Sequence, residues 1–242
     1  MASATERVER EHLAEVRAAL DGLGHLVFDE ESLPTVLQKV VDLVKQVMPA
    51  GTEASITLLR GGQPTTVAHT GQLALDLDEM QYLRGHGPCL EAAVGGVSVA
   101  ITDAQTEDRW PDYLTTFLER GARSSLAIPV PAPQLVAGLN VYAPVADGFC
   151  EADSQVLVEF AGFAGVALTN MQTLESAREL AENLKAAMEF RSVIEQAKGI
   201  LMERHRVTGE KAFRMLADAS MHTNRKVRDL AQALVLTGEL ER

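Results

Sequence analysis

From Glu151 to Glu203 the chain has no proline, and after Gly165 it has no glycine until Gly199. These are the strongest helix breakers, so their absence lets one continuous helix run through the stretch. Within it Ala167, Asn170, Leu174, Ala177, Ala181, Leu184, Met188 and Arg191 follow alternating steps of three and four residues. That is the a/d pattern of a coiled coil, sustained for about three heptads. A homodimer joined along this seam is expected. Asn170 would fix its register, and the small Ala167, Ala177 and Ala181 make it weak and adjustable. A single exposed helix whose stripe packs on the protein's own sheet satisfies the same pattern.

The helix leads into a reversal of charge. Between Arg191 and Arg228 nine Lys/Arg stand against four Asp/Glu, +5 in a chain whose formal net charge is −12. The first 170 residues hold 10 Lys/Arg and 23 Asp/Glu, −13, and should repel nucleic acid. A basic island kept inside an acidic protein is the footprint of a polyanion site, with nucleic acid the first candidate. A solvated basic face without a ligand carries the same charge.

Local patterning gives the island three helices. Ile194, Ala197, Ile200 and Leu201 recur at helical spacing. Val207-Thr208-Gly209 breaks the run, Thr208 is a fair N-cap, and a second helix should bury Phe213, Leu216 and Ala217 and end by Met221-His222. Thr223 or Asn224 can cap a third helix, with Val227, Leu230, Ala231 and Leu234 closing a small core before Gly238. Its first turn would hold Arg225, Lys226 and Arg228, cations at the positive end of the helix dipole, which an anion would relieve. Gly199 inside a helix costs about 1 kcal/mol relative to Ala. Close approach of another helix or of a nucleotide would account for it.

The string Glu195-Gln196-Ala197-Lys198-Gly199-Ile200-Leu201-Met202, followed by Ala212-Phe213, Leu216, Ser220, Asn224, Lys226-Val227-Arg228-Asp229 and Ala231, resembles the ANTAR domain. The resemblance spans roughly residues 180 to 240 and all three helices in order. It implies an RNA-binding module of transcription antitermination regulators, which recognise paired short hairpins with hexanucleotide loops. Splayed loop bases can be met by exposed side chains while cations hold the phosphates. On this reading Arg191, Lys198, Arg204, His205, Asn224, Arg225, Lys226 and Arg228 form the RNA face. The cations would meet phosphate, and Asn224 with His205 would meet base edges or stack.

Hydrophobic residues make up 46% and charged residues 23% of 242, room for two globular domains with real cores. Cys89 and Cys150 form no zinc or disulfide pattern, which fits a reducing cytoplasm. The charged first twenty residues exclude a signal-peptide core. The uncharged run from Ser124 to Ala146 holds four prolines and reads as strands around a loop, not as a membrane span.

Residues 5 to 28 carry an imperfect apolar stripe that reads as a helix. A second helix is expected from Leu33 to Val47. A hairpin follows, 54–59 and 65–69 around Arg60-Gly61-Gly62-Gln63-Pro64, with further strands at 97–101, 124–130 and 137–143. Helices are expected at 75–82, 88–93, 113–120 and from Glu151 onward. An antiparallel sheet with segregated helices suits this order. Together with Gly85-His86-Gly87-Pro88-Cys89-Leu90-Glu91-Ala92, Asp103, Asp108-Arg109-Trp110-Pro111, residues 121–129 and Gly138-Leu139-Asn140-Val141-Tyr142, it resembles a GAF domain over about residues 30 to 168. GAF domains commonly bind small molecules on one face of the sheet and regulate attached effectors. The ligand does not carry over.

Cys89, following Pro88 at a helix start, could have its thiol pKa lowered by the dipole, favouring redox or nitrosative chemistry. A plain small core residue is the more ordinary use, since cysteine is among the most buried types. His69 and His86 have no second ligand at a metal or haem spacing. Trp110 with Arg109 suits either a pocket cap or a structural corner, and Asp103 and Asp108 suit capping and turns. GxxxxGK, HExxH and GxSxG are absent.

The expectation is thus an α+β chain: an N-terminal helix over 1–29, a GAF-like antiparallel sheet with flanking helices over 30–168, a coiled-coil connecting helix over 169–190 and an ANTAR-like three-helix bundle over 180–242. It is read as a cytoplasmic homodimeric regulator, not an enzyme, without cofactor, metal or membrane. Its expected partners are RNA hairpin loops in nascent transcripts and a small-molecule ligand in the GAF-like domain. Helix-turn-helix-like DNA binding is the chief alternative, because the last two helices are joined by a brief turn. A basic face that docks an acidic protein is the third.

Overall fold

The computed structural model describes residues 32–240 and, before them, 16–18 and 22. The helix expected over 5–28 otherwise lies outside the described residues. The chain divides into two compact units, Met1–Thr173 and Leu174–Arg242.

The first unit is built on five strands, β1 (Glu53–Arg60), β2 (Gln63–His69), β3 (Val99–Ile101), β4 (Ser124–Pro129) and β5 (Val136–Ala143). Their order is β2-β1-β5-β4-β3 and every neighbouring pair is antiparallel. The β1–β2 hairpin closes on Gly61 and Gly62, both at positive φ (58° and 82°), the two-residue turn that only such residues adopt without strain. Pro64 is tolerated because β2 is an edge strand. The run from Ser124 to Ala143 is thus β4 and β5, and among the described residues no helix is long and apolar enough to cross a membrane.

Strand alternation gives the sheet two different faces. Ile56, Leu58, Leu126, Ile128, Leu139 and Val141 point to one side. There they pack on α1 (Leu33–Val47), which buries Val36, Leu37, Val40, Val41 and Val44, and on Leu157, Phe160, Ala161 and Ala164 of a helix that begins at Glu151. The other side carries Ser55, Thr57, Asn140 and Tyr142, all buried. It lies under α2 (Gln72–Arg84), α3 (Pro88–Gly95) and α4 (Pro111–Glu119).

The proline-free stretch forms one helix, α5 (Glu151–His205), 55 residues long. Gly165 is needed where α5 passes Pro131, because a Cβ there would stand 2.4 Å from the Pro131 carbonyl oxygen. Ala167 and Leu168 belong to the apolar core of the first unit, so Ala167 is not a seam residue. From Leu174 onward Leu174, Leu180, Leu184 and Met188 are exposed.

In the second unit the last turns of α5 join α6 (Gly209–Thr223) and α7 (Val227–Thr237). Ala197, Leu201, Ala212, Leu216, Ala231 and Leu234 form its core. Thr208 caps α6, its hydroxyl accepting from Lys211 N–H at 3.4 Å. The core face of α6 is Ala212, Leu216 and Ala219, with Met215 at its margin. Phe213 is therefore not a core residue as its apolarity suggested. It sits about 100° round the helix from Ala212 and is 45% exposed.

Candidate functional site

The buried polar face of the sheet is organised by Asp78 on α2. At position 57 the β1–β2 register shifts, which sets Thr57 opposite Thr66. Thr66 Oγ1 donates to Asp78 Oδ2 at 2.8 Å. With that proton committed, the Tyr82 hydroxyl donates to Thr66 (2.8 Å), Thr57 donates to Tyr82 (2.8 Å), and the Cys89 thiol donates to Thr57 (3.0 Å). The carboxylate, which only accepts, thereby orients a chain of hydrogen bonds running back to a thiol. On its other side Asp78 Oδ1 accepts from Tyr142 at 2.5 Å.

Burial pushes the Asp78 carboxyl up to about 6, against the opposing effect of its hydrogen bonds. Burial, with the Asp78 charge, pushes the Cys89 thiol up to about 12. Cys89 is 1% exposed, so a thiol pKa lowered at the helix start is not realised. Desolvation outweighs the dipole here. Cys89 is a buried core residue, and it also ends this chain while its own N–H donates to Gln81 Oε1 at 2.8 Å. Gln81 Nε2 in turn reaches the hydroxyls of Tyr113 and Tyr142, both at 3.3 Å. Asn140 Nδ2 donates to Ser55 and Thr57, while its Oδ1 is buried without a partner among the described residues.

The motif reading singled out only Cys89 from this network. A usable signal was present in the strands, where Ser55 and Thr57 alternate with Ile56 and Leu58, and Asn140 and Tyr142 with Leu139 and Val141. Trp110 is a corner: at φ 52° it precedes α4, packs against the apolar residues on this side of the sheet, and carries the Arg109 guanidinium 4.5 Å from its ring. Asp103 makes a turn with Gln105 N–H and a two-pronged pair with Arg123, and these contacts hold its carboxyl below the usual range. The His69 ring meets the Gly71 carbonyl at 3.2 Å.

In the second unit the expected RNA-facing residues do not form one cluster. Arg228 stacks over Phe190 of α5, 4.5 Å from the ring centroid, at the start of α7. Arg204 donates to the Gly238 carbonyl just beyond the end of α7. The ten steps along the chain from Arg228 to Gly238 set these two anchor points about 15 Å apart. Asn224, Arg225 and Lys226 form the turn between α6 and α7. Asn224 is the left-handed C-cap of α6 (φ 52°) and Lys226 the N-cap of α7, so Thr223 and Asn224 do not cap the third helix. Arg225 precedes the helix, and of the three expected cations only Arg228 lies within its first turn. Lys198 is half-buried and pairs with Glu195 at 2.9 Å. Arg191 and His205 are exposed on α5. A Cβ on Gly199 would meet nothing within 4 Å, so close packing inside the unit does not explain this glycine.

A GAF domain family model matches residues 30–169, and an ANTAR domain model matches residues 182–235. No curated protein matches the chain. Among solved structures the chain is similar to the GAF domain of a phosphoenolpyruvate-protein phosphotransferase from Coxiella burnetii, with 17% identity, TM-score 0.52, and 67% of this chain and 98% of that one covered. It is also similar to free methionine-R-sulfoxide reductases. The Neisseria meningitidis enzyme, in complex with its substrate, shows 18% identity, TM-score 0.52 and coverage of 72% and 96%. The reduced Staphylococcus aureus enzyme shows 15%, 0.51, 63% and 94%. At such identities the likeness establishes the fold of the first unit. With the two family models matched in order along one sequence, the chain belongs to the GAF domain family and has the GAF–ANTAR architecture of a regulator.

Proposed function

We propose that this chain is an RNA-binding transcription antitermination regulator that acts in the cytoplasm on nascent transcripts. Its ANTAR unit holds paired hairpins and so prevents a terminator from forming, under control of the GAF unit. The observation that carries the reading is a coincidence of position. The residues matched by the ANTAR model include the whole of the basic region from Arg191 to Arg228 in an acidic chain. Arg191, Lys198, Arg204, His205, Asn224, Arg225, Lys226 and Arg228 are the proposed RNA contacts. The split between the two ends of α7 suits an RNA loop spread across the unit better than a single phosphate.

Two copies joined along the bare stripe of Leu174, Ala177, Ala181, Leu184 and Met188 would carry two such units, matching a paired-hairpin target. The buried polar face around Asp78 and Asn140 is the proposed place at which a small molecule acts on the GAF unit. The protonated Cys89 thiol there supports a sensing role over a nucleophilic one.

The test is to purify the full chain from cells and sequence the RNA that comes with it. Enrichment of transcripts containing two neighbouring hairpins with six-nucleotide loops is expected. Recovery of duplex DNA and no such RNA would move the assignment to the helix-turn-helix alternative.

A further inference from the structure

The second unit leaves one aromatic ring bare. Among the described residues only Phe190 and Phe213 are exposed phenylalanines, and Phe190 lies under the Arg228 guanidinium. Phe213 belongs neither to the unit's core nor to the apolar residues packed against it. One turn before it on the same side of α6 is Gly209. A Cβ on Gly209 would lie 3.5 Å from Met202 Sδ and 3.9 Å from Lys198 Nζ on α5. Lys198, Gly199 and Met202 fall within about 100° of arc on α5. Met202 is 40% exposed, and Gly199 opens onto empty space. Met202 and Lys198 of α5 thus meet α6 at Gly209, one turn from the exposed Phe213, with Gly199 open on the same side of α5.

The cations of this stretch are held in local ion pairs. Lys198 pairs with Glu195, Arg206 with Glu203 at 3.9 Å, and Arg214 with Glu210. The Arg206 and Arg214 pairs are exposed and contribute little, Lys198 is half-buried against Glu195, and a phosphate offers each cation a more highly charged acceptor. Gly199 weakens the helix relative to Ala, and among the described residues nothing fills the space it leaves. An aromatic ring beside open backbone, with positive charge at its margin, is the composition of a single-strand stacking platform.

We propose that Phe213, seated beside Met202, Gly199 and Gly209, stacks an unpaired base of the hairpin loop, while Lys198 and Arg206 hold the adjoining phosphates. This rests on the RNA-binding reading above and adds to it a face outside the turn at Asn224–Lys226. The platform selects flat unpaired bases through ring contact, whereas the cations act on any sequence.

The test uses the full chain and an RNA carrying two hairpins with six-nucleotide loops. Phe213→Leu, Phe213→Trp and the unchanged protein are compared for affinity at several salt concentrations. A second arm places 5-iodouridine at each loop position in turn and maps the photocrosslinked peptide. Because Phe213 lies outside the core, circular dichroism should be unaltered in both variants. Phe213→Leu should lose about 5- to 100-fold in affinity with its salt slope unchanged, the signature of a lost stack. Phe213→Trp should bind like the original, and one loop position should crosslink to the peptide containing Phe213. Undiminished RNA binding by Phe213→Leu would overturn the platform and leave the RNA reading standing. A fall in molecular mass by light scattering, with RNA affinity intact, would assign the face to protein contact instead. Failure of the unchanged protein to bind the RNA would overturn the broader reading and this one together.

Discussion

The hydroxyl of Tyr142 on β5 donates to Asp78 on α2 at 2.5 Å, in a place where both residues are buried and, among the described residues, no cation is hydrogen-bonded to the carboxylate. Hydroxyl hydrogen bonds and the nearby His69 favour the charged form, but desolvation outweighs them and the folded-state pKa rises from 3.8 to about 6. A carboxyl whose folded pKa is raised binds its proton more tightly when folded. Its stabilising contribution is present below pH 3.8 and is lost as pH rises through about 6.

Comparison with Asp78→Asn isolates that contribution. Between pH 7.5 and pH 5 the original protein should gain on the order of 1 kcal/mol relative to the variant in urea unfolding of the GAF unit. A difference between the two proteins that does not change with pH would show that Asp78 is not protonated on folding in this range.

Arg204 has a structural contact that its charge alone did not reveal. Its guanidinium satisfies the Gly238 carbonyl beyond the C-terminus of α7, where orphan carbonyls and a negative dipole favour a cation. Arg204→Ala should lower the stability of the second unit by about 1 kcal/mol, read as a fall in its thermal midpoint without RNA. RNA affinities of this variant need correcting for the unfolded fraction.

Lys226 is a cleaner test of the proposed RNA face, because its side chain makes no capping bond at the N-cap of α7. Lys226→Glu should leave helicity unchanged, weaken hairpin binding about 10-fold whatever the loop sequence, and reduce the salt slope by about 1. Normal affinity would remove Lys226 from the face.

The stripe of Leu174 and Leu184 can be broken without touching any proposed RNA contact. Leu174→Glu with Leu184→Glu should convert a dimer to a monomer by light scattering. Twin-hairpin affinity should then fall ~10² toward that for one hairpin, with single-hairpin affinity nearly unchanged. A monomer that binds the twin site undiminished would rule out the paired arrangement.

Periodicity made most of the architecture legible. The 3.6-residue stripe gave α1 its bounds from Leu33 to Val47, Gly61-Gly62 announced the hairpin, and the lack of proline after Glu151 announced α5. The misreadings arose where identity outweighed position. Phe213 looked like core because it is apolar, yet Ala212, Leu216 and Ala219 define the buried face and put it outside. The helix-start position of Cys89 suggests a lowered thiol pKa, but the desolvation that pushes the thiol up depends on strands far off in sequence. Arg204 and Gly238 are 34 residues apart, and no local pattern links them. The Asp78 network needs β1, β2, β5 and α2 at one point, which tertiary packing alone supplies.

The most direct test of the account is a salt titration of the full chain against two probes of equal length, an RNA with two six-nucleotide-loop hairpins and a duplex DNA of unrelated sequence. The account predicts tight RNA binding whose log affinity falls linearly with log salt, and DNA binding at least ~10² weaker throughout. Equal affinity for the two probes, with equal slopes, would contradict it.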